Sequence, residues 1–286
     1  MTARFGPSGS PQSFLDAGYR STLQMPDYLA GLGLDAFEYQ CGHGVNVRED
    51  AARKLGERAR EKGIALSLHA PYYISLASAE PEKRDRSIDY ILSAARAASW
   101  MGADRVILHP GGAGKMPREQ AMALAADTFR RALAALDEAG LGEIALCPET
   151  MGKLKQLGDL EEVLALCALD ERVIPCLDLG HLNARTRGGF TREEDFVSLL
   201  DRLANVLGRE RAGAFHAHFS KIEYGPSGEI RHLTFADDRF GPEPAPFLRA
   251  VLRRNAAPRV LCESAGTQAV DALTMQTLYR EGANTI

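Results

Sequence analysis

The stretch RVIPCLDLGHLNA, Arg172 to Ala184, holds the pattern from which the fold can be read. Its first half is apolar and reads as a buried strand. Asp178 and His181 follow where the apolar run stops. A carboxylate is costly to bury without a partner, so an aspartate closing such a strand needs a physical reason. The same arrangement recurs along the chain. Strand-like runs are AFEYQ (36–40), IALSLH (64–69), RVILH (105–109), EIALCPE (143–149), VIPCLD (173–178), AFHAH (214–218) and RVLCE (259–263). All but AFHAH are followed by helical spacing, as in the stripe Met122, Ala125, Phe129, Leu133, Leu136 and the stripe Ile88, Ile91, Ala95, Ala98. AFHAH leads into a long loop before its helix. Repeated strand–helix units imply a parallel sheet. With RFGPSG near the start, the set comes to about eight strands. For a chain of 286 residues the reading is one α/β domain over 1–286, a (β/α)8 TIM barrel. A doubly wound open sheet ranks second, because no glycine-rich phosphate or dinucleotide loop follows the early strands.

Hydrophobic residues at 45% and charged residues at 25% fit a soluble globular enzyme. The formal net charge of -4 argues against bulk attraction to nucleic acid or acidic membranes, while leaving room for a local basic face. The opening MTARFGPSGS lacks the apolar core of a signal peptide. No run reaches the length of a transmembrane helix. The expectation is a cytoplasmic monomer with no membrane partner. Cys41, Cys147, Cys167, Cys176 and Cys262 form no CxxC pair and read as buried, reduced core thiols.

The last residues of the seven runs are Gln40, His69, His109, Glu149, Asp178, His218 and Glu263. All but Gln40 can ligate a metal or move a proton. In a barrel the strand ends of the C-terminal face converge on the active site. Three carboxylates held together repel one another unless a cation intervenes. The mixture of imidazole and carboxylate suits Zn, Mn or Fe better than Ca. The donors exceed the needs of one ion, which points to two or three, and close metal pairs are a common solution for phosphate ester hydrolysis.

These residues sit in motifs that resemble the endonuclease IV family (AP endonuclease family 2): LHAPYYISLAS around His69, ILHPGG around His109, PETMGK around Glu149, CLDLGHLNA around Asp178 and His181, HFSK around His218, and CESAG around Glu263. The resemblance implies a (β/α)8 barrel with a trinuclear zinc site that cleaves DNA 5′ to abasic sites, with Mn or Fe as alternative metals. It implies that Glu149 bridges two ions and serves in catalysis. His69 and His109 complete the first ion's ligands, and Asp178, His218 and Glu263 complete the second's. His181 belongs to the third, with His232 from the later loop GPSGEIRHLTF. There the family's Asp-x-His pair is interrupted: Ile230 holds the Asp position, and Glu229, one residue earlier, is the substitute. On the DNA side, Tyr72 and Tyr73 match the loop that probes the duplex, and aromatic side chains suit insertion beside a flipped nucleotide. The loop QCGHGVNVRE lacks the family's arginine next to Gln40, leaving His43 or Arg48. Lys221 and Arg231 are candidates for phosphate contact.

A rival reading comes from the same superfamily. Sugar isomerases and epimerases of xylose-isomerase-like barrels hold one ion with Glu, Asp, His and Glu, which Glu149, Asp178, His218 and Glu263 also match. His69, His109 and His232 favour the multi-metal nuclease. His216, two residues before His218, falls on the same strand face one layer deeper and reads as a hydrogen-bonded interior residue.

Overall fold

A computed structural model describes residues 2–284. Eight strands run parallel around one ring: β1 (Arg4–Pro7), β2 (Ala36–Gln40), β3 (Ala65–His69), β4 (Arg105–Leu108), β5 (Ala145–Pro148), β6 (Cys176–Asp178), β7 (His216–Phe219) and, after an inserted hairpin of β8 (Lys221–Gly225) and β9 (Gly228–Leu233), β10 (Arg259–Cys262). Continuous ladders join β2 to β5 in order, and β6 through β7 and β10 to β1. Two seams close the ring. Ser8 pairs with Glu38, with the Gly9 amide donating to the Glu38 carbonyl, and Glu149 pairs with Cys176, with the Thr150 amide donating to the Cys176 carbonyl. At the first seam β1 lies so close to β2 that a Cβ on Gly6 would stand 1.7 Å from the Ala36 carbonyl oxygen. Only glycine fits there. The result is a TIM barrel, as the alternation of runs anticipates.

Each barrel strand is followed by a helix on the outside, from Met25–Leu32 after β1 to Gln268–Ala283 after β10. The helical stripes carry the packing. Ile88, Ile91, Ala95 and Ala98 are buried in the helix Pro81–Met101; Ala125, Phe129, Leu133 and Leu136 are buried in Arg118–Glu138, with Met122 packed at its edge. Local signals fix the ends. Glu49 and Asp50 open the helix Glu49–Lys62, Arg60 and Lys62 close it against the dipole, and Gly63 caps it in the left-handed region. All five cysteines are free and buried. No helix among the described residues is long and apolar enough to cross a membrane.

Two expectations are corrected. VIPCLD contributes a strand only at 176–178: Pro175 has no amide to donate, and its carbonyl accepts from His216 where the ladder begins. The segment after AFHAH is largely the β8–β9 hairpin. Pro226 and Ser227 make its turn between Gly225 and Gly228.

Candidate metal centre

Six of the seven strand-end residues, plus His181 and the hairpin pair Glu229 and His232, meet at the C-terminal face. His69 and Asp178 end β3 and β6, and His218 lies within β7. His109, Glu149 and Glu263 each follow their strand by one residue. Glu149 is buried at the junction. Its Oε2 is 3.2 Å from both His69 Nε2 and His109 Nε2, and its Oε1 is 3.3 Å from both His181 Nδ1 and His218 Nδ1. His181 Nε2 stands 3.3 Å from Glu229 Oε2. Four groups have donor atoms within 4.8 Å of one another, three of them facing the cavity: His69, His109 and Glu149; Glu149, Asp178, His218 and Glu263; and His181, Glu229 and His232; the fourth, Cys176, His216 and His218, is fully buried.

The hairpin explains how Glu229 and His232 share a face. Three residues apart, they would point to opposite sides of a regular strand. In the β8–β9 ladder Arg231 faces Glu223 and Glu229 faces Tyr224, so Ile230 is an extra, unpaired residue, a β-bulge. The bulge removes one step of alternation. Glu229 and His232 turn toward His181, and Ile230 turns out to solvent. Gly152 leaves the space: a Cβ there would meet Glu229 and His181.

The donor chemistry fits metal ions. Four histidines hold one ring nitrogen in a hydrogen bond. His69 Nδ1 donates to the Ala70 carbonyl at 2.9 Å, His181 Nδ1 to the Thr150 carbonyl at 2.9 Å and His218 Nε2 to Glu38 Oε1 at 2.9 Å, while His232 Nδ1 and Ser220 Oγ share a bond of 2.8 Å. The bonds to carbonyl and carboxylate oxygens fix the tautomer, and all four orient the ring. Glu149 Oε1, Asp178 Oδ2 and His218 Nδ1 are buried with no hydrogen-bond partner, which a bound cation would remedy. Burial would lift the pKa of Glu149, yet His218 and His109 hold it well below the usual carboxylate range. Burial keeps Asp178 above its usual range despite His181. Burial pulls His69 down, but Glu149 pushes it up to about 8; burial likewise pulls His181 down, but Asp178 and then Glu149 push it up to about 10.

Glu38 is the site residue the sequence reading missed. It is fully buried beneath the cluster. Ser8 Oγ and Ser67 Oγ donate to it at 2.9 and 3.0 Å, and His216 Nε2 lies 3.0 Å from its Oε2. His216 is thus an interior residue, as expected, but neither ring nitrogen makes a well-aligned hydrogen bond, and burial lowers its pKa to about 4. The available signal was a glutamate inside the apolar run AFEYQ, two residues before the strand end and therefore on the same face.

Tyr72 and Tyr73 are each 55% exposed on the loop after β3. Tyr72 stacks on His109 with centroids 5.6 Å apart and meets the edge of His43. Tyr73 packs toward Tyr90 instead. Arg48 is exposed beside Asp50, so of the two it is His43 that meets Tyr72 and lines the neighbouring cavity. The expected phosphate contact at Lys221 is corrected. Lys221 is only 4% exposed, and its ammonium is engaged by the Asp237 carbonyl and Glu243 Oε1, both at 2.6 Å. Arg231 is exposed and paired with Glu223 at 2.7 Å.

A cavity of about 340 Å³ opens over the cluster, lined by His69, Tyr72, His109, Met151, Lys153, Gln156, His181, Glu229, His232 and Glu263. A neighbouring one of about 510 Å³ shares Tyr72, His232 and Glu263 and continues past Gln40, His43 and Asn46. The larger cavity of about 620 Å³ among Leu200, Arg209 and Arg253 has no comparable donor set.

Residues 26–285 match the xylose isomerase-like TIM barrel family. The chain belongs to that family. Among curated proteins, the Uncharacterized protein MJ0133 of Methanocaldococcus jannaschii is 35% identical over 277 residues, 97% of each chain. The Probable endonuclease 4 of Acholeplasma laidlawii is 29% identical over 235 residues, 75% of this chain and 78% of that protein. Among solved structures, endonuclease IV from Thermus thermophilus superposes with a TM-score of 0.71 at 20% identity, covering 99% of this chain and 100% of that one. A D-tagatose 3-epimerase-like protein superposes equally well, with a TM-score of 0.72 at 18% identity, covering 99% and 98%. The relatives of this xylose isomerase-like barrel therefore include endonuclease IV-like sequences, while its structural neighbours include both nuclease and epimerase.

Proposed function

We propose that this protein is a metal-dependent phosphodiesterase of the endonuclease IV kind, cutting damaged double-stranded DNA 5′ to abasic sites. The observation that carries the reading is the third donor set, His181, Glu229 and His232, standing beside the two sets that share Glu149. A single-ion isomerase has no use for it. Zn²⁺ suits the donors best, in three sets, with Mn²⁺ or Fe as alternatives. When bound, the ions lower the pKa of the attacking water and neutralise charge on the phosphoryl oxygens. The chain's own residues do the rest. Glu149, at the junction of the sets, orients the attacking water in line with the phosphorus. Glu38 holds the His218 ring in its ligating orientation. Lys153 brings the one ammonium or guanidinium among the described residues lining the cavity, and it suits a non-bridging phosphate oxygen. Tyr72, exposed at the rim, meets the gap left by the missing nucleobase.

The second reading is a single-ion sugar epimerase, favoured by the set Glu149, Asp178, His218 and Glu263 and by epimerase-like structural neighbours. One experiment separates the two. Metal content is counted in protein prepared without chelator, then incision of an abasic duplex and turnover of ketoses and aldoses are measured side by side. Two or three equivalents with incision at the lesion support the nuclease. One equivalent with sugar turnover and no incision overturns it.

A further inference from the structure

At the opposite, N-terminal mouth of the barrel a second charged group has no part in the chemistry above. Arg105 opens β4, Arg259 opens β10 and Arg4 opens β1 beside it, in register with Arg259. Arg105 and Arg259 are each only 9% exposed. Both forks converge on one carboxylate. Asp104 receives Arg259 Nη1 and Nη2 at 2.8 and 3.1 Å, and Arg105 Nε and Nη2 at 3.3 and 3.2 Å. Arg259 Nη1 also donates to the Leu66 carbonyl at 2.8 Å. Arg4 reaches the carbonyls of Gly63 and Asp35. The Asp35 carboxylate itself is held by the Phe5 amide at 2.7 Å.

Asp104 is therefore one negative charge shared by two buried guanidinium groups, with a third close by. Arg105 Nη1 and Arg259 Nε remain buried with no hydrogen-bond partner. Buried cations are costly unless paired, and unmet guanidinium donors add to that cost. The three arginines line a cavity of about 330 Å³ together with Thr2, Ala214, Ala257 and Pro258. No acidic residue is among that lining. The lining carries three guanidinium groups, and the two buried ones share the single carboxylate of Asp104, so the cavity has an excess of positive charge of the kind a tetrahedral oxyanion neutralises. We propose that this cavity binds an oxyanion of the phosphate class, on the face opposite the metal cluster.

The test uses inorganic phosphate and the metal-loaded protein. Phosphate is titrated at constant ionic strength against sodium chloride, and melting temperature and heat of binding are recorded. A ligand that binds only the folded state raises the melting temperature in a saturable way. Arg105→Gln and Arg4→Gln should each weaken that effect by about tenfold or more, the scale of one lost charge-assisted contact. Asp104→Asn should strengthen it, because the competing carboxylate is gone. Arg4 is exposed, so its variant keeps the test open if Arg105→Gln fails to fold. Incision should be unchanged in Arg4→Gln. The proposal is overturned if phosphate gives the wild type no more stabilisation than chloride. It is equally overturned if the stabilisation persists undiminished in Arg4→Gln, since phosphate would then be bound outside this cavity. Neither readout depends on the nature of the catalysed reaction.

Discussion

Alanine in place of Gly152 tests the third donor set by geometry alone. Gly152 does not occupy the left-handed region, so the substitution adds a methyl group without backbone strain. That carbon would lie 2.6 Å from Glu229 Cβ and 3.0 Å from both Glu229 Oε2 and His181 Cδ2. The first distance falls about 0.8 Å short of ordinary contact, and Glu229 Cβ is too near its own backbone to swing aside. The hairpin must therefore retreat. It is tied to the same loop by the Glu229 amide on the Gly152 carbonyl at 3.3 Å, so the retreat also loosens that bond. The barrel strands lie elsewhere and keep their packing. A misplacement near 1 Å at a reacting centre costs about 10²-fold in rate. Gly152→Ala should therefore lose one metal equivalent and about 10²-fold in kcat/KM for incision of an abasic duplex, with an unchanged circular dichroism spectrum. Elemental analysis, steady-state cleavage and the spectrum are measured on one preparation. A full metal complement with wild-type cleavage would refute the assignment of Glu229 and His181 to a common ion. Ile230→Ala, a change at an exposed position, serves as the control that should alter neither.

Three further outcomes are expected. Glu149→Gln should lower turnover by several orders of magnitude in a folded protein, because it disturbs two donor sets at once; near-normal cleavage would remove Glu149 from the mechanism. Glu38→Gln should lower metal affinity or activity by about 10–100-fold through loss of the charged partner of His218, and competition with a chelator measures the change. Tyr72→Ala should weaken binding of an abasic duplex by roughly 1–3 kcal/mol in a fluorescence titration with metal content unchanged. A parallel loss of metal would instead mean that Tyr72 supports His109, on which it stacks.

The barrel and its first two donor sets were legible because strand runs end where the C-terminal face begins. His69 and Asp178 can be read directly as strand-end residues. Glu38 was not legible as a site residue because attention to the last position of AFEYQ selects Gln40, while the carboxylate one layer deeper organises His216 and His218. Lys221 misled for a related reason. After β7 the chain turns at once into the hairpin, carrying the lysine under Asp237 and Glu243 instead of out to solvent. The hairpin itself lay hidden in a glycine- and proline-bearing segment, where a short alternating pattern is broken by Ile230. Long-range pairing, not local propensity, decides that segment.

That interruption has a consequence for finding such sites in other chains. A strand presents its side chains by counting rungs of the ladder, and a residue that holds no rung drops out of the count. Inserting one residue and choosing the longer acid therefore leaves the presented chemistry intact: Glu229 and His232 stand two rungs apart, as an Asp-x-His pair would in an uninterrupted strand. A motif written in fixed intervals discards this chain at Ile230, although the carboxylate–imidazole pair survives. Patterns for hairpin-borne ligands are better written in rungs, with a single-residue gap permitted wherever the partner strand can tolerate a bulge.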